Sequence, residues 1–158
     1  MQVRPCDFSN AIEVQAFLSL LDMYAQDPMG GQTALSQEVK CRLIRDLPHV
    51  PGAISFLAWD GEQAVGVLNA FMGYSTFKAA SLMNVHDIAV RPAWRGQGVG
   101  HCLLSALRDL AIERGCCKLT LEVLSGNRRA RSVYQRFGFE DYALDPAAGQ
   151  AMFMQMWL

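Results

Sequence analysis

The stretch RPAWRGQGVG, residues 91–100, carries groups that can bind an anion. It holds glycines at Gly96, Gly98 and Gly100, two arginines and no acidic residue, and it lies between the apolar run VHDIAV and the periodic run HCLLSALRDLAI. Unpaired N–H groups at a helix N-terminus attract negative charge, and glycines let an anion approach the backbone closely. A strand, a basic glycine-rich turn and a helix in this order predict a phosphate-binding site.

Two common phosphate-binding motifs do not fit this turn. A P-loop requires Lys and then Ser or Thr after its last glycine, whereas Gly100 is followed by His101 and Cys102. The dinucleotide fingerprint requires a third glycine at position 101 and an acidic residue about 20 residues further on, and the sequence has neither. The pattern that fits is Arg95-x-x-Gly98-x-Gly100, with a tight turn that binds nothing as the alternative interpretation.

The elements before this turn are predicted from hydrophobic periodicity and capping residues. QVRPC is expected to be an edge strand, because Pro5 has no N–H to donate to a sheet. Two helices follow, FSNAIEVQAFLSLLDMYA with Ser9 as its cap and LSQEVKCRLIRDL with Ser36 as its cap. AISFLAW and QAVGVLNAFMGYS form a hairpin around Asp60 and Gly61, and SLMNVHDIAV is a third strand.

The turn is followed by a helix from about Gly98 to Arg114, the strand CCKLTLEVL and a helix that begins at SGN and ends at Gly138. FEDYAL and AMFMQMWL are predicted as two final strands around the turn DPAAGQ. The whole order, β–α–α–β–β–β–α–β–α–β–β, predicts an α/β protein, in the broad sense that includes α+β. It would have a mixed sheet, helices on both faces and a central β–α–β crossover.

Composition narrows the range of functions. The net charge of −1 gives no global positive field, so neither a nucleic-acid partner nor a membrane partner is expected. The N-terminus lacks the apolar run of a signal peptide and the chain lacks an apolar run long enough to span a membrane, so a cytoplasmic protein is expected. Cys116 and Cys117 are adjacent, which does not suit a tetrahedral metal site, and no metal is predicted.

The glycine turn and a second segment together resemble a known family. Arg95-x-x-Gly98-x-Gly100 resembles the pyrophosphate-binding signature of the GCN5-related N-acetyltransferase (GNAT) superfamily. HDIAV resembles the strand that binds the pantetheine arm in that family, and the resemblance covers about residues 53–140. The second signature is the segment LEVLSGNRRARSVYQRFGFE, which carries Asn127, Ala130, Tyr134, Gly138 and Phe139 at the family's spacing.

The resemblance implies the GNAT fold over a single domain, residues 1–158. That fold is a mixed, mostly antiparallel sheet of about six to seven strands with about four helices, and two strands part at the cofactor site. Residues 1–50 would supply the acceptor-site helices, 53–140 the cofactor-binding core and 141–158 the C-terminal strands.

The resemblance also implies acetyl-CoA as the acyl donor and an amine as the acceptor. The backbone N–H groups of residues 97–100 would bind the pyrophosphate, and the backbone of Ile88 and Val90 would pair with the pantetheine amides. The implied cofactor contacts are Ile88, Ala89, Val90, Arg95, Gly96, Gln97, Gly98, Val99, Gly100, Asn127, Ala130 and Tyr134.

Candidate catalytic residues follow from the chemistry of acetyl transfer. By the resemblance, Tyr134 would act as general acid on the departing thiolate, and a core tyrosine is the alternative. The amine must lose a proton, and Glu122 is the first candidate base, followed by Asp87 and His86; a water molecule could also serve. An alternating strand would place His86 and Asp87 on opposite faces, and a bulge at this point would turn one of them; a solvent-exposed Asp87 is the alternative.

The acceptor is the least defined part of the prediction. Tyr24, Asp27 and His86 are expected to line its site, and an acidic, aromatic site favours a small cationic amine such as a polyamine. A protein N-terminus or lysine is the alternative acceptor, and a catalytically silent acyl-CoA sensor is the alternative function. A homodimer paired through AMFMQMWL and a monomer with that edge covered are both consistent with the sequence.

Overall fold

A computed structural model describes residues 1–142, 147 and 151–158. Its strands are β1 (Gln2–Pro5), β2 (Ala53–Asp60), β3 (Gln63–Ser75), β4 (Ala80–Val90) and β5 (Leu119–Leu121). Its helices are α1 (Ala11–Ala25), α2 (Gln37–Asp46), α3 (Val99–Glu113) and α4 (Arg128–Phe137). They confirm the first nine elements of the order predicted from the sequence. A helix with the length and apolarity needed to cross a bilayer is not found in the described part of the chain.

The chain forms two compact units, Met1–Leu121 and Glu122–Leu158. The first contains β1–β5 and α1–α3, and the second contains α4. The expectation of a single domain over 1–158 stays a prediction.

The first unit is built on one mixed sheet in the order β1-β2-β3-β4-β5. The first four strands are antiparallel neighbours, and β5 is parallel to β4 after the crossover through α3. β1 lies at the edge, as Pro5 predicts, because a proline at a central position would remove a ladder hydrogen bond. The predicted mixed, mostly antiparallel fold class is confirmed.

Helices cover both faces of this sheet, and β3 shows which face each one takes. Val67 belongs to a buried cluster with Phe17 and Leu20 of α1. Its neighbour Gly66 points to the other face, where an added Cβ would lie 2.9 Å from Val99 Cγ1 and 3.0 Å from Leu103 Cδ1 of α3. Alternate residues of one strand therefore bury two different helices.

The predicted strand count is too high for the described residues, which contain five strands. AMFMQMWL, residues 151–158, forms no strand, and its large side chains are exposed. Phe139–Tyr142 of FEDYAL is also not extended in a sheet, while residues 143–144 and all of the turn DPAAGQ except Ala147 lie outside the described residues. A β-type composition does not supply hydrogen-bond partners, and no described strand pairs with residues 151–158.

The cap of α1 also differs from the prediction. Asn10, not Ser9, accepts hydrogen bonds from the backbone N–H groups of Ile12 and Glu13. Ser9 instead donates through its backbone and its hydroxyl to the Asp7 carboxylate. Adjacent residues of similar capping preference compete, and the local turn decides which of them reaches the helix.

Substitution of Gly66 should weaken the packing of α3 on the sheet. In Gly66→Ala, the new Cβ meets Val99, Leu103 and the Ala89 carbonyl, so we expect a loss of about 1–3 kcal/mol in the free energy of unfolding. Urea unfolding measures this loss. Gly100→Ala is the matched control, because a Cβ there meets nothing within 4 Å and its stability should be equal or higher. An unchanged urea midpoint for Gly66→Ala would contradict this packing.

Candidate active site

The glycine turn joins β4 to α3 through backbone conformations that favour glycine. Gly96 and Gly98 have φ angles of 81° and 83°, in the left-handed region that other residues seldom adopt. Gly98 is the N-cap of α3 and has no side chain with which to cap it. The first N–H groups of α3, from Val99 to His101, have no acceptor within the helix and point out of its positive end.

Open space in front of this turn distinguishes it from a packed one. A Cβ added at Gly96, Gly98 or Gly100 would meet nothing within 4 Å. Gly100 lies in the first turn of α3 and is not among the positive-φ glycines, so neither conformation nor packing requires glycine there. Space together with outward N–H groups fits an anion such as a diphosphate.

β4 and β5 run together for only part of their length. Their ladder consists of Met83 with Leu119, Asn84 with Thr120 and Val85 with Leu121. Beyond Val85, β4 continues to Val90 with β3 as its only neighbour among the described strands. The segment of β4 that holds Ile88, Ala89 and Val90 therefore presents an edge that an extended ligand could pair with.

A bulge in β4 gives His86 and Asp87 the same orientation. Asn69 of β3 pairs with Asp87 and Ala70 pairs with Val85, which leaves His86 as the extra residue. Asp87 accepts a hydrogen bond from Asn69, and the His86 ring contacts the Phe71 ring edge-to-face at 5.1 Å. Because Asn69 and Phe71 are two residues apart on a regular strand, they share a face. The predicted bulge is confirmed, and it turns two neighbouring residues toward one face.

That face is the one covered by α1. Phe71 packs against the cluster that contains Phe17 and Leu20 of α1, and Tyr24 at the end of α1 packs against the same cluster. Burial raises the pKa of the Tyr24 phenol, and the carboxylates of Asp87 and Asp27 raise it further. The structure thus brings Tyr24, Asp27, His86 and Asp87, all candidates from the sequence, to one side of the sheet.

Two hydrogen-bonded chains of polar side chains cross this face. In one, the Ser55 hydroxyl donates to Asn69 Oδ1 at 2.7 Å and Asn69 Nδ2 donates to Asp87 Oδ2 at 3.0 Å. In the other, Asn84 Nδ2 donates to Thr120 Oγ1 at 3.1 Å. His86 Nδ1 lies 3.2 Å from Asn84 Oδ1.

Asn69 and Ser55 were missed as site residues. Each stands in a strand of otherwise mostly apolar residues, and a polar residue at a buried position is the signal that could have identified them.

Arg95 and Asp27, expected in different parts of the site, form an ion pair. Arg95 Nη2 lies 3.1 Å from Asp27 Oδ2, while Arg95 Nε donates to the Val90 carbonyl at 3.0 Å. The backbone N–H of Met29 and then the Arg95 guanidinium hold the pKa of the Asp27 carboxyl below its ordinary value. This ion pair connects the loop after α1 to the glycine turn.

In the second unit, α4 has the ends that the sequence predicts. Asn127 Oδ1 caps the helix by accepting from the Ala130 N–H at 3.1 Å, and Gly138 ends it with a φ of 113°. Tyr134 is half-buried, and its ring meets that of Phe139 edge-to-face at 5.9 Å. Glu122 is exposed and is the first residue after β5, because the strand predicted over CCKLTLEVL is confined to Leu119–Leu121.

Sequence comparisons place these features in a family. A family model described as the acetyltransferase (GNAT) family matches residues 17–139. Thialysine N-epsilon-acetyltransferase of Bos taurus is 36% identical over 81 residues, which are 51% of this chain and 47% of that protein. Streptothricin acetyltransferase of Streptomyces lavendulae is 38% identical over 87 residues, 55% of this chain and 46% of that protein. The chain spans about half the length of these curated relatives.

Solved structures share the fold at low sequence identity. A probable acetyltransferase superposes with a TM-score of 0.83 at 16% identity, covering 99% of each chain. An aminoglycoside antibiotic 6'-N-acetyltransferase from Acinetobacter haemolyticus gives a TM-score of 0.76 at 17% identity, covering 100% of this chain and 99% of that one. The family match contains the glycine turn and the bulged strand of this site, and the chain belongs to the acetyltransferase (GNAT) family.

Proposed function

We propose that this protein is an acetyl-CoA-dependent N-acetyltransferase that acts on the primary amine of a small cationic molecule by direct attack. The observation that carries the proposal is the β4 bulge, which directs Asp87 to the face shared with Tyr24 and Asp27. The glycine turn with its open space follows on the same strand. An anion-binding turn next to an acidic, aromatic site is what a reaction between a CoA thioester and a cation requires.

The residues of the first unit fit coenzyme A. The backbone N–H groups of residues 97–100 would hold its diphosphate, and the open edge of β4 at residues 88–90 would pair with the amides of its arm. By family resemblance, Asn127, Ala130 and Tyr134 would contact it as well. When bound, it supplies an acetyl group as a thioester.

Acetyl transfer to an amine requires two proton transfers, one from the amine nitrogen and one to the departing sulfur. The amine nitrogen forms a bond to the acetyl carbonyl carbon, the bond from that carbon to sulfur breaks, and an amide and a free thiol result. We assign Asp87 as the base that takes the proton the amine loses. By family resemblance, Glu122 is the alternative base and Tyr134 would give a proton to the departing sulfur. A backbone N–H near Val90 would stabilise the negative charge that develops on the carbonyl oxygen.

The charges at the site favour a cationic acceptor. After burial, the carboxylates of Asp87 and Asp27 raise the pKa of the Tyr24 phenol further, so two negative charges act on this aromatic side chain. An ammonium group is attracted to carboxylates and to ring faces. Relatives named for thialysine and streptothricin, and a structural relative named for an aminoglycoside, support a small-molecule acceptor.

A panel of amines tests the proposed reaction. We expect saturable release of free thiol from acetyl-CoA with a polyamine, a lysine analogue or an aminoglycoside, and little release with neutral amines. Tyr134→Phe should lower kcat about 100-fold while the affinity for CoA, measured by calorimetry, changes little. CoA binding without turnover of any amine would contradict the small-molecule proposal and favour a sensor. Turnover confined to peptides would favour a protein acceptor.

Gly100→Ala tests the diphosphate assignment. The new methyl group fills the space in front of the turn, so we expect the affinity for CoA to fall about tenfold, as for the loss of one charge-assisted hydrogen bond. The melting temperature should hold or rise, because alanine favours a helix. Unchanged affinity for CoA in a folded variant would place the diphosphate elsewhere.

Asp27→Asn tests the acceptor side. The variant keeps an oxygen for the Met29 N–H but removes the charge beside Arg95 and Tyr24, so the KM of a cationic amine should rise about tenfold. Lys40→Met is the matched control, because Lys40 forms an ion pair with Asp22 of similar length, 3.0 Å, that involves neither Arg95 nor the glycine turn. Equal changes of KM in both variants would show a structural effect only.

A further inference from the structure

Asn69 is a polar residue buried in an otherwise apolar part of β3. Its exposed fraction is 3%, and apolar residues surround it on β3. Glu13 is the other polar or charged residue buried to this degree among the described residues, and it binds Arg4 and the Asp7 N–H in a separate place. An unpartnered buried amide destabilises the folded state, so an amide retained here depends on the partners it has.

Those partners fix the direction of the carboxamide. Ser55, Asn69 and Asp87 are cross-strand neighbours on β2, β3 and β4, and we call them the Asn69 bridge. The Ser55 hydroxyl donates to Asn69 Oδ1, which leaves Nδ2, the donor end, directed at Asp87 Oδ2. A flipped amide could still donate to the Ser55 oxygen, but it would set its carbonyl against the Asp87 carboxylate, whose oxygens only accept when the group is charged.

The Asn69 bridge ends at Asp87, beside the bulge in β4. Asp87 follows the extra residue of the bulge, where the regular alternation of the strand is interrupted. A hydrogen bond from the neighbouring strand restores a defined position to its carboxylate.

We propose that Asn69, held by Ser55, is a positioning residue that keeps Asp87 directed at the acceptor amine. The role rests on the proposed function, in which Asp87 is the base. Asn69 itself touches neither the amine nor the acetyl group. Its contribution therefore depends on Asp87, and that dependence separates positioning from a purely structural role.

A double-mutant cycle tests this dependence. The variants are Asn69→Leu, which keeps the branched shape and removes the donor, Asp87→Asn and the double variant. Each is assayed for kcat, acceptor KM and CoA affinity. We expect Asn69→Leu to lower kcat about tenfold with CoA affinity unchanged, and to have less than about a twofold effect when Asp87 is already Asn. Ser55→Ala should show the same dependence with a smaller loss, and it replaces Asn69→Leu if that variant does not fold.

Thr120→Val is the control for the cycle, because Thr120 accepts from Asn84 in the other polar chain and does not bind Asp87. Its effect should be the same with and without Asp87→Asn. If Asp87→Asn is impaired and the losses of Asn69→Leu multiply with it, the positioning role is overturned and the base assignment stands. Full activity of Asp87→Asn overturns the base assignment itself, together with the role of the bridge.

Discussion

One extra residue in β4 sets the arrangement on which the rest of the site depends. Without it, the pleat would send His86 and Asp87 to opposite faces of the sheet. With it, His86 meets Phe71 and Asp87 meets Asn69 on the face that α1 covers. A bulge disturbs the ladder locally, and here the disturbance places an acidic group among aromatic and polar side chains.

The same strand carries the second requirement of the chemistry a few residues later. β4 ends at Val90, and the glycine turn then leads into α3, whose N-terminus faces open space. The Arg95 guanidinium connects this turn to Asp27 beyond the end of α1, while its Nε holds the Val90 carbonyl. The glycine turn and the face that carries Asp87 are thus attached to one strand, and the Arg95–Asp27 pair connects the glycine turn to the end of α1.

Much of this could be predicted from the sequence because the signals are local. Gly96 and Gly98 mark left-handed backbone, Pro5 marks an edge strand, and the polar residues at 84, 86 and 87 break the alternation of β4. The wrong predictions have equally local causes. Ser9 and Asn10 are both good caps, and AMFMQMWL has strand composition without a described partner strand. Composition indicates what a segment can form, and neighbours decide whether it does.

The sequence by itself determined the order of the first nine elements, the position of the glycine turn and the place where β4 bulges, since each depends on residues adjacent in the chain. Only the tertiary structure decided which side chains form hydrogen bonds and ion pairs with each other. Asn69 reaches Ser55 across 14 residues and Asp87 across 18, and Arg95 reaches Asp27 across 68. Such pairs follow from strand register and from the face on which a helix packs. Those are set by burial of the whole core, which no short stretch of sequence specifies.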